Sequence, residues 1–178
     1  MKTANFWIVK GNPRYPIPGI EERCGDICSF LQEASSSDWL TYRAIHEECK
    51  KFDPVFFWSS GKLRSIIAIG EILKVHSDRH RFDIKHHSTK CFPLDKQVNI
   101  REIRAAFEEK PKFYEPEQAL YLKPSVVATI YRVTAAQAEI IIKLICAKNP
   151  VKEERAQLDK WLKLISVNKH SASLKHKP

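Results

Sequence analysis

Apolar residues along this chain follow two rhythms, and the places where one gives way to the other mark the elements. Phe6-Trp7-Ile8-Val9 is a β-branched and aromatic run closed by Gly11-Asn12-Pro13, which predicts a first strand and then a loop through Pro18 and Gly19. Ser35-Ser36-Ser37-Asp38 offers helix N-caps, and Tyr42, Ile45, Cys49 and Phe52 recur at helical spacing until Asp53-Pro54. This predicts a helix with one buried face. Val55-Phe56-Phe57-Trp58 and Ile66-Ile67-Ala68-Ile69 are unbroken apolar runs joined through Ser59-Ser60-Gly61-Lys62. Two strands buried on both sides and linked as a hairpin fit them, at the centre of a sheet.

Phe82 and Ile84 alternate with Asp83 and Lys85, the pattern of a half-exposed strand. Asn99-Ile100-Arg101-Glu102 has capping-box spacing and opens a helix whose Ile100, Ile103 and Phe107 face inward. Residues 126–133 read as a further strand. Thr134-Ala135-Ala136-Gln137 is a second capping box, before a helix carrying Ala138, Ile141, Ile142 and Ile145. After Pro150, Leu158, Trp161, Leu162 and Ile165 form one face of a last helix, either docked on the domain or open to a partner. Strands and short helices without βαβ alternation predict an α+β fold, a small barrel-like sheet decorated by helices.

Charge adds a direction to this picture. The 178 residues carry a net charge of +9, with 43% hydrophobic and 29% charged residues, the composition of a globular chain drawn to polyanions. Residues 148–178 hold eight Lys/Arg against three acids. The expected organisation is therefore one domain over residues 1–148 and a basic C-terminal helix and tail over 149–178. Five cysteines, an odd number, and no long apolar stretch predict free thiols in a reducing, cytoplasmic setting without a membrane span.

Catalytic signatures are sparse. Neither Gly-x-Gly-x-x-Gly nor a phosphate-loop Gly-Lys-Ser/Thr occurs. Cys24, Cys28, His46 and Cys49 could be drawn together as zinc ligands, but the spacing only loosely resembles structural sites, and Cys49 fits the buried face of a helix more simply. The adjacent carboxylates Glu21-Glu22, Glu47-Glu48 and Glu153-Glu154 point in different directions on a helix, as solvated faces do. The expectation is a non-enzyme with no cofactor and no metal.

Four segments in order resemble the EVE domain, and more loosely the YTH domain, of the PUA-like superfamily. They are Phe6 to Pro13, Asp38-Trp39-Leu40-Thr41-Tyr42-Arg43, Asp53 to Gly61 continuing through Ala68-Ile69-Gly70-Glu71-Ile72, and Thr129-Ile130-Tyr131-Arg132-Val133-Thr134. The resemblance implies a twisted, partly closed β-barrel with flanking helices that holds one flipped, modified base without cutting the strand. The ligand would be DNA or RNA, and a separate nuclease or modification enzyme could be the partner.

Carried onto this sequence, the resemblance makes Trp39 the aromatic wall of the base pocket, flanked by Tyr42 and Arg43. Lys10, Gly11 and Asn12 match a Lys-Ser-Asn at the end of the first strand, with Asn12 able to read a base edge through its amide. Trp58, Ser59 and Ser60 end the central strand at the rim. Phe57 and Trp58 cannot both face the pocket, since neighbours on a strand point to opposite faces. Lys62, Arg64, Arg79, Arg81 and Lys85 would meet phosphates. The rival reading is a protein-interaction module that uses the apolar face of the last helix.

Overall fold

The computed structural model describes residues 4–11, 16–17, 20–24, 36–40, 47–59, 64–76, 81–108, 130–148 and 150–174. Nine strands fall in this span: β1 (Phe6–Gly11), β2 (Pro16–Ile17), β3 (Ile20–Cys24), β4 (Ser36–Leu40), β5 (Pro54–Ser59), β6 (Ser65–His76), β7 (Arg81–His86), β8 (Val98–Asn99) and β9 (Ile130–Val133). Helices α1 (Ile100–Glu108), α2 (Ala135–Ala147) and α3 (Lys152–Leu174) accompany them, with a short 3-10 helix at Leu94–Lys96. The main sheet has seven strands in the order β4-β7-β6-β5-β1-β9, with β8 added to β6, while β2 and β3 form a separate ribbon. β1 and β5 run parallel, and every other pair is antiparallel. The α+β class is as expected. β4 and β9 are the edges of the main sheet, with no ladder between them among the described residues.

Why the centre lies at β5 and β6 follows from their composition. All six residues of β5 are buried, as are the first eight of β6, so this hairpin has no solvent face to fill with polar residues. Alternate residues go to two separate cores. Phe6, Ile8, Phe56, Trp58, Ile66 and Ile69 pack under the helices, and Trp7, Val9, Val55, Phe57, Ile67 and Ala68 fill the opposite face. Ile67 and Ala68 share a face because β6 bulges against β5 between Phe57 and Trp58; a second irregularity against β7 falls between Ile72 and Lys74. Each bulge bends the strand and adds twist. Gly70 lets the three central strands approach: a Cβ there would lie 2.6 Å from the Lys85 carbonyl oxygen and 3.0 Å from the Phe57 ring.

The capping boxes form as the sequence predicts. Asn99 Oδ1 accepts from the backbone of Arg101 and Glu102 while Glu102 accepts from Asn99 N at 2.9 Å, and Thr134 and Gln137 exchange the equivalent pair. Ile103 and Phe107 of α1, and Ala138, Ile141, Ile142 and Ile145 of α2, are buried against the sheet. α3 docks on the same core: Trp161 is 1% exposed and meets Phe56 edge to face at 5.7 Å. Leu158 and Ile165 are buried with it, so of the two alternatives for this apolar face the docked one is observed.

Three expectations are corrected. Residues 36–40 form β4 instead of capping a helix, because ladder bonds to β7 outcompete the local side-chain caps. The loop expected through Gly19 contains β2 and enters β3. The helical spacing of Tyr42, Ile45, Cys49 and Phe52 overruns its helix: Glu47 and Glu48 are helical, Cys49 is not, and Phe52 is 59% exposed in the left-handed region at φ 72°.

Candidate nucleic-acid interface

Parallel pairing of β1 with β5 brings two predicted segments side by side. Lys10 stands opposite Trp58 and Gly11 opposite Ser59, and Ser59 in turn pairs with Ser65 at the start of β6. Lys10 is half-buried, and that burial lowers its pKa from the usual lysine value. Ser59 and Ser65 are buried. Ser65 Oγ donates to Gln97 Oε1 at 2.7 Å, and Gln97 Nε2 donates to the Phe92 carbonyl at 2.9 Å, so the floor of this end is a closed hydrogen-bond chain. Arg64 precedes it, exposed and at φ 42°, its carbonyl accepting from Ile100 N at 2.9 Å.

Trp58, expected at the pocket rim, is 1% exposed and packed in the helix-side core with Phe6 and Phe56. Of the two neighbours left open by strand alternation, Phe57 takes the other face. Trp39 stands opposite Phe82 in the register of β4 and β7, and Phe82 stands opposite Val75. Position 75 of β6 lies far along the strand from position 66, which pairs with Trp58, roughly 30 Å of extended chain at ~3.3 Å per residue. The register thus sets Lys10, Gly11, Trp58 and Ser59 in one group and Trp39 in another.

The expected phosphate contacts divide similarly. Arg64 adjoins the first group, Arg81 pairs with Leu40 and His76 at the second, and Lys85 is exposed between Ser36 and Glu71. Asn12, Ser60, Tyr42, Arg43, Lys62 and Arg79 lie outside the described residues.

Near the second group, sequence reasoning missed a hollow of about 770 Å³ lined by Cys49, Lys50, Lys51, Leu73, Lys74, Val75 and Asp83. The turn beneath it is tightly held. Asp53 is buried and accepts from Asn5 N, Lys50 N and, at 3.0 Å, Trp7 Nε1. Burial raises its pKa, and those three donors oppose the rise. Phe52 N donates to the Ile72 carbonyl at 2.7 Å, and Ile72 N to the Asp53 carbonyl at 2.9 Å. The signal that could have found this patch is Lys50-Lys51-Phe52, a basic pair and an aromatic ahead of Asp53-Pro54.

Neither Cys49 nor Cys146 is an activated thiol. Burial, then Asp53 and Glu48, push Cys49 up to about 12, and burial raises Cys146. Cys49 and Cys146 are free, whereas Cys91 is disulfide-bonded, which corrects the expectation of free thiols throughout. An odd cysteine count excludes complete pairing, not a single bridge. Among the described residues no group of three or more His, Cys, Asp or Glu could hold a metal ion. No helix there is long and apolar enough to cross a membrane.

No protein-family model matches the sequence, and no curated protein matches it. Solved structures do. Protein Atu2648 from Agrobacterium tumefaciens is 16% identical at a TM-score of 0.52, over 84% of this chain and 96% of its own. Human THYN1, in complex with 5-methylcytosine-containing DNA, is 12% identical at a TM-score of 0.56, over 83% of this chain and 99% of its own. The DUF55 domain of human thymocyte nuclear protein 1 is 11% identical at 0.56, over 82% and 99%. At such identities the likeness speaks for the architecture, and it agrees with the resemblance in the sequence: the chain has the EVE-type, PUA-like fold.

Proposed function

We propose that the chain is a non-catalytic reader of a polynucleotide carrying a modified base, with methylated cytosine in DNA the first candidate. The observation that carries this reading is the pairing of Lys10-Gly11 with Trp58-Ser59, which sets a half-buried lysine beside two strand ends. It occurs on a fold shared with a protein crystallised on 5-methylcytosine DNA.

In this reading the base leaves its stack, rests against Trp39, and is read by Asn12 and the rim at Ser59 and Ser60, with Tyr42 and Arg43 behind the tryptophan. Bringing Trp39 to Lys10 requires the sheet to curl toward partial closure, and the two irregularities of β6 supply places for that bend. Lys62, Arg64, Arg79, Arg81 and Lys85, with the basic residues after 148, steer phosphates. A separate nuclease or modification enzyme would act on what this chain marks.

Anisotropy titrations at near-physiological salt test the reading, with matched DNA and RNA strands and duplexes carrying 5-methylcytosine, 5-hydroxymethylcytosine, N6-methyladenine or no modification. The expected result is preference for one modified base. Trp39→Ala should bring that preference to near unity, a loss of about 1–3 kcal/mol for a stacked base, and leave a salt-sensitive remainder. Equal affinity of the intact chain for every oligonucleotide overturns the reader.

A further inference from the structure

The turn at 50–53 carries an arrangement that neither core packing nor the base pocket uses. Phe52 is 59% exposed and held at φ 72°, a conformation that suits glycine and strains an aromatic residue. The turn is fixed from both sides by the hydrogen bonds of Phe52 and Asp53 with Ile72 and by the Asp53 carboxylate. Lys51 Nζ lies 4.9 Å from the centre of the Phe52 ring. Beyond the last pair of β5 with β6, Pro54 with Glu71, the latter strand runs on past the turn and carries exposed Leu73 and Lys74. The hollow between overhang and turn is thus edged by Lys50, Lys51 and Lys74. Of the acids nearby, Asp83 lines the same hollow and is hydrogen-bonded to His76 at 3.0 Å, and Glu48 is paired with Arg132 at 2.8 Å, so three lysines face one carboxylate in the lining.

We propose that Phe52, Lys50, Lys51 and Lys74 form a second polynucleotide contact, in which the ring stacks on a base or sugar and the ammonium groups take the neighbouring phosphates. It rests on the reading of the chain as a nucleic-acid binder, but not on recognition of a modified base. Charge selects the occupant. Three lysines lining one hollow, one of them against an exposed aromatic ring, complement a polyanion with flat bases, and such stacking is indifferent to sequence. The contact therefore adds affinity evenly to modified and plain strands.

The strained backbone makes a clean test possible. Phe52→Gly removes the ring and supplies the residue that this φ favours, so the melting temperature should hold or rise. In the full chain, affinity for 5-methylcytosine DNA and for the same unmodified strand should fall together by about tenfold, leaving their ratio unchanged. Lys50→Gln, Lys51→Gln and Lys74→Gln combined should flatten the slope of log affinity against log salt by up to about 2–3. If the intact chain shows no preference for modified bases yet loses binding with Phe52→Gly, the reader fails and this contact stands. Unchanged affinity in a folded Phe52→Gly chain overturns the proposal, as does a change confined to the modified strand, which would assign Phe52 to the base pocket.

Discussion

The two ends of β6 contrast in how the chain treats polar groups. At its start, Ser65 and Ser59 are buried, and Gln97 links the Ser65 hydroxyl to the Phe92 carbonyl in a hydrogen-bond chain. At its far end Leu73 and Lys74 are exposed, and a strained Phe52 sits in solvent beside lysines. One strand thus carries a fixed, desolvated end and an open, charged one. A buried network holds geometry because a lost partner is costly, whereas an exposed cationic rim tolerates many ligand positions.

The largest effect that would break this contrast comes from beneath the fixed end. Trp58→Ala, which empties part of the helix-side core, should cost about 3–5 kcal/mol by denaturant unfolding. A much smaller loss would mean that Trp58 is not the packing residue its burial indicates. Gln97→Leu comes next. It leaves the Ser65 hydroxyl and the Phe92 carbonyl without their partner, at about 1–3 kcal/mol in the same measurement. The equivalent change at the open end, Lys74→Gln, should stay within about 0.5 kcal/mol.

A smaller, pH-dependent effect arises midway along β6, where His87 Nε2 lies 3.3 Å from Glu71 Oε2 beside the Trp161 ring. Burial holds the imidazole below its ordinary pKa of 6.5 against the pull of Glu71, with Lys85 and Lys160 adding to the depression. The unfolded chain consequently takes up its proton first on acidification. The stability linked to His87 is fully present above about pH 6.5 and declines as pH falls toward the folded value. Thermal melts between pH 7.5 and 5.5 should show that decline, and His87→Gln should reduce it; an equally steep decline in the variant would assign the effect elsewhere.

Much of the fold was legible because its signals were local and mutually consistent. The β5–β6 hairpin announced itself by two apolar runs around a turn, and Asn99 and Thr134 capped α1 and α2 with the partners their spacing offered. Failures came where a local preference met a distant partner. Ser36, Ser37 and Asp38 are good N-caps, yet they became strand because β7 presents a free edge more than forty residues later. Phe52 continued a helical period by coincidence of spacing while the Asp53 hydrogen bonds fixed a turn. For the site, the pairing of Lys10 with Trp58 was out of reach, since a parallel register leaves no short-range trace. The burial of Trp58 was equally hidden, because strand alternation gives two faces without saying which one the helices cover.

The position of β1 has a consequence for how the protein is made. Its two neighbours are β5 and β9, the latter ending at Val133, and the core above it closes only with Trp161. During synthesis, residues 6–9, all destined for burial, leave the ribosome well over a hundred codons before their antiparallel neighbour exists. The nascent chain must carry an apolar edge until residues 130–133 are made, a topology that folds slowly and invites association between copies. Yield of soluble protein should therefore depend on translation speed and chaperone supply more than on any single contact in the finished molecule.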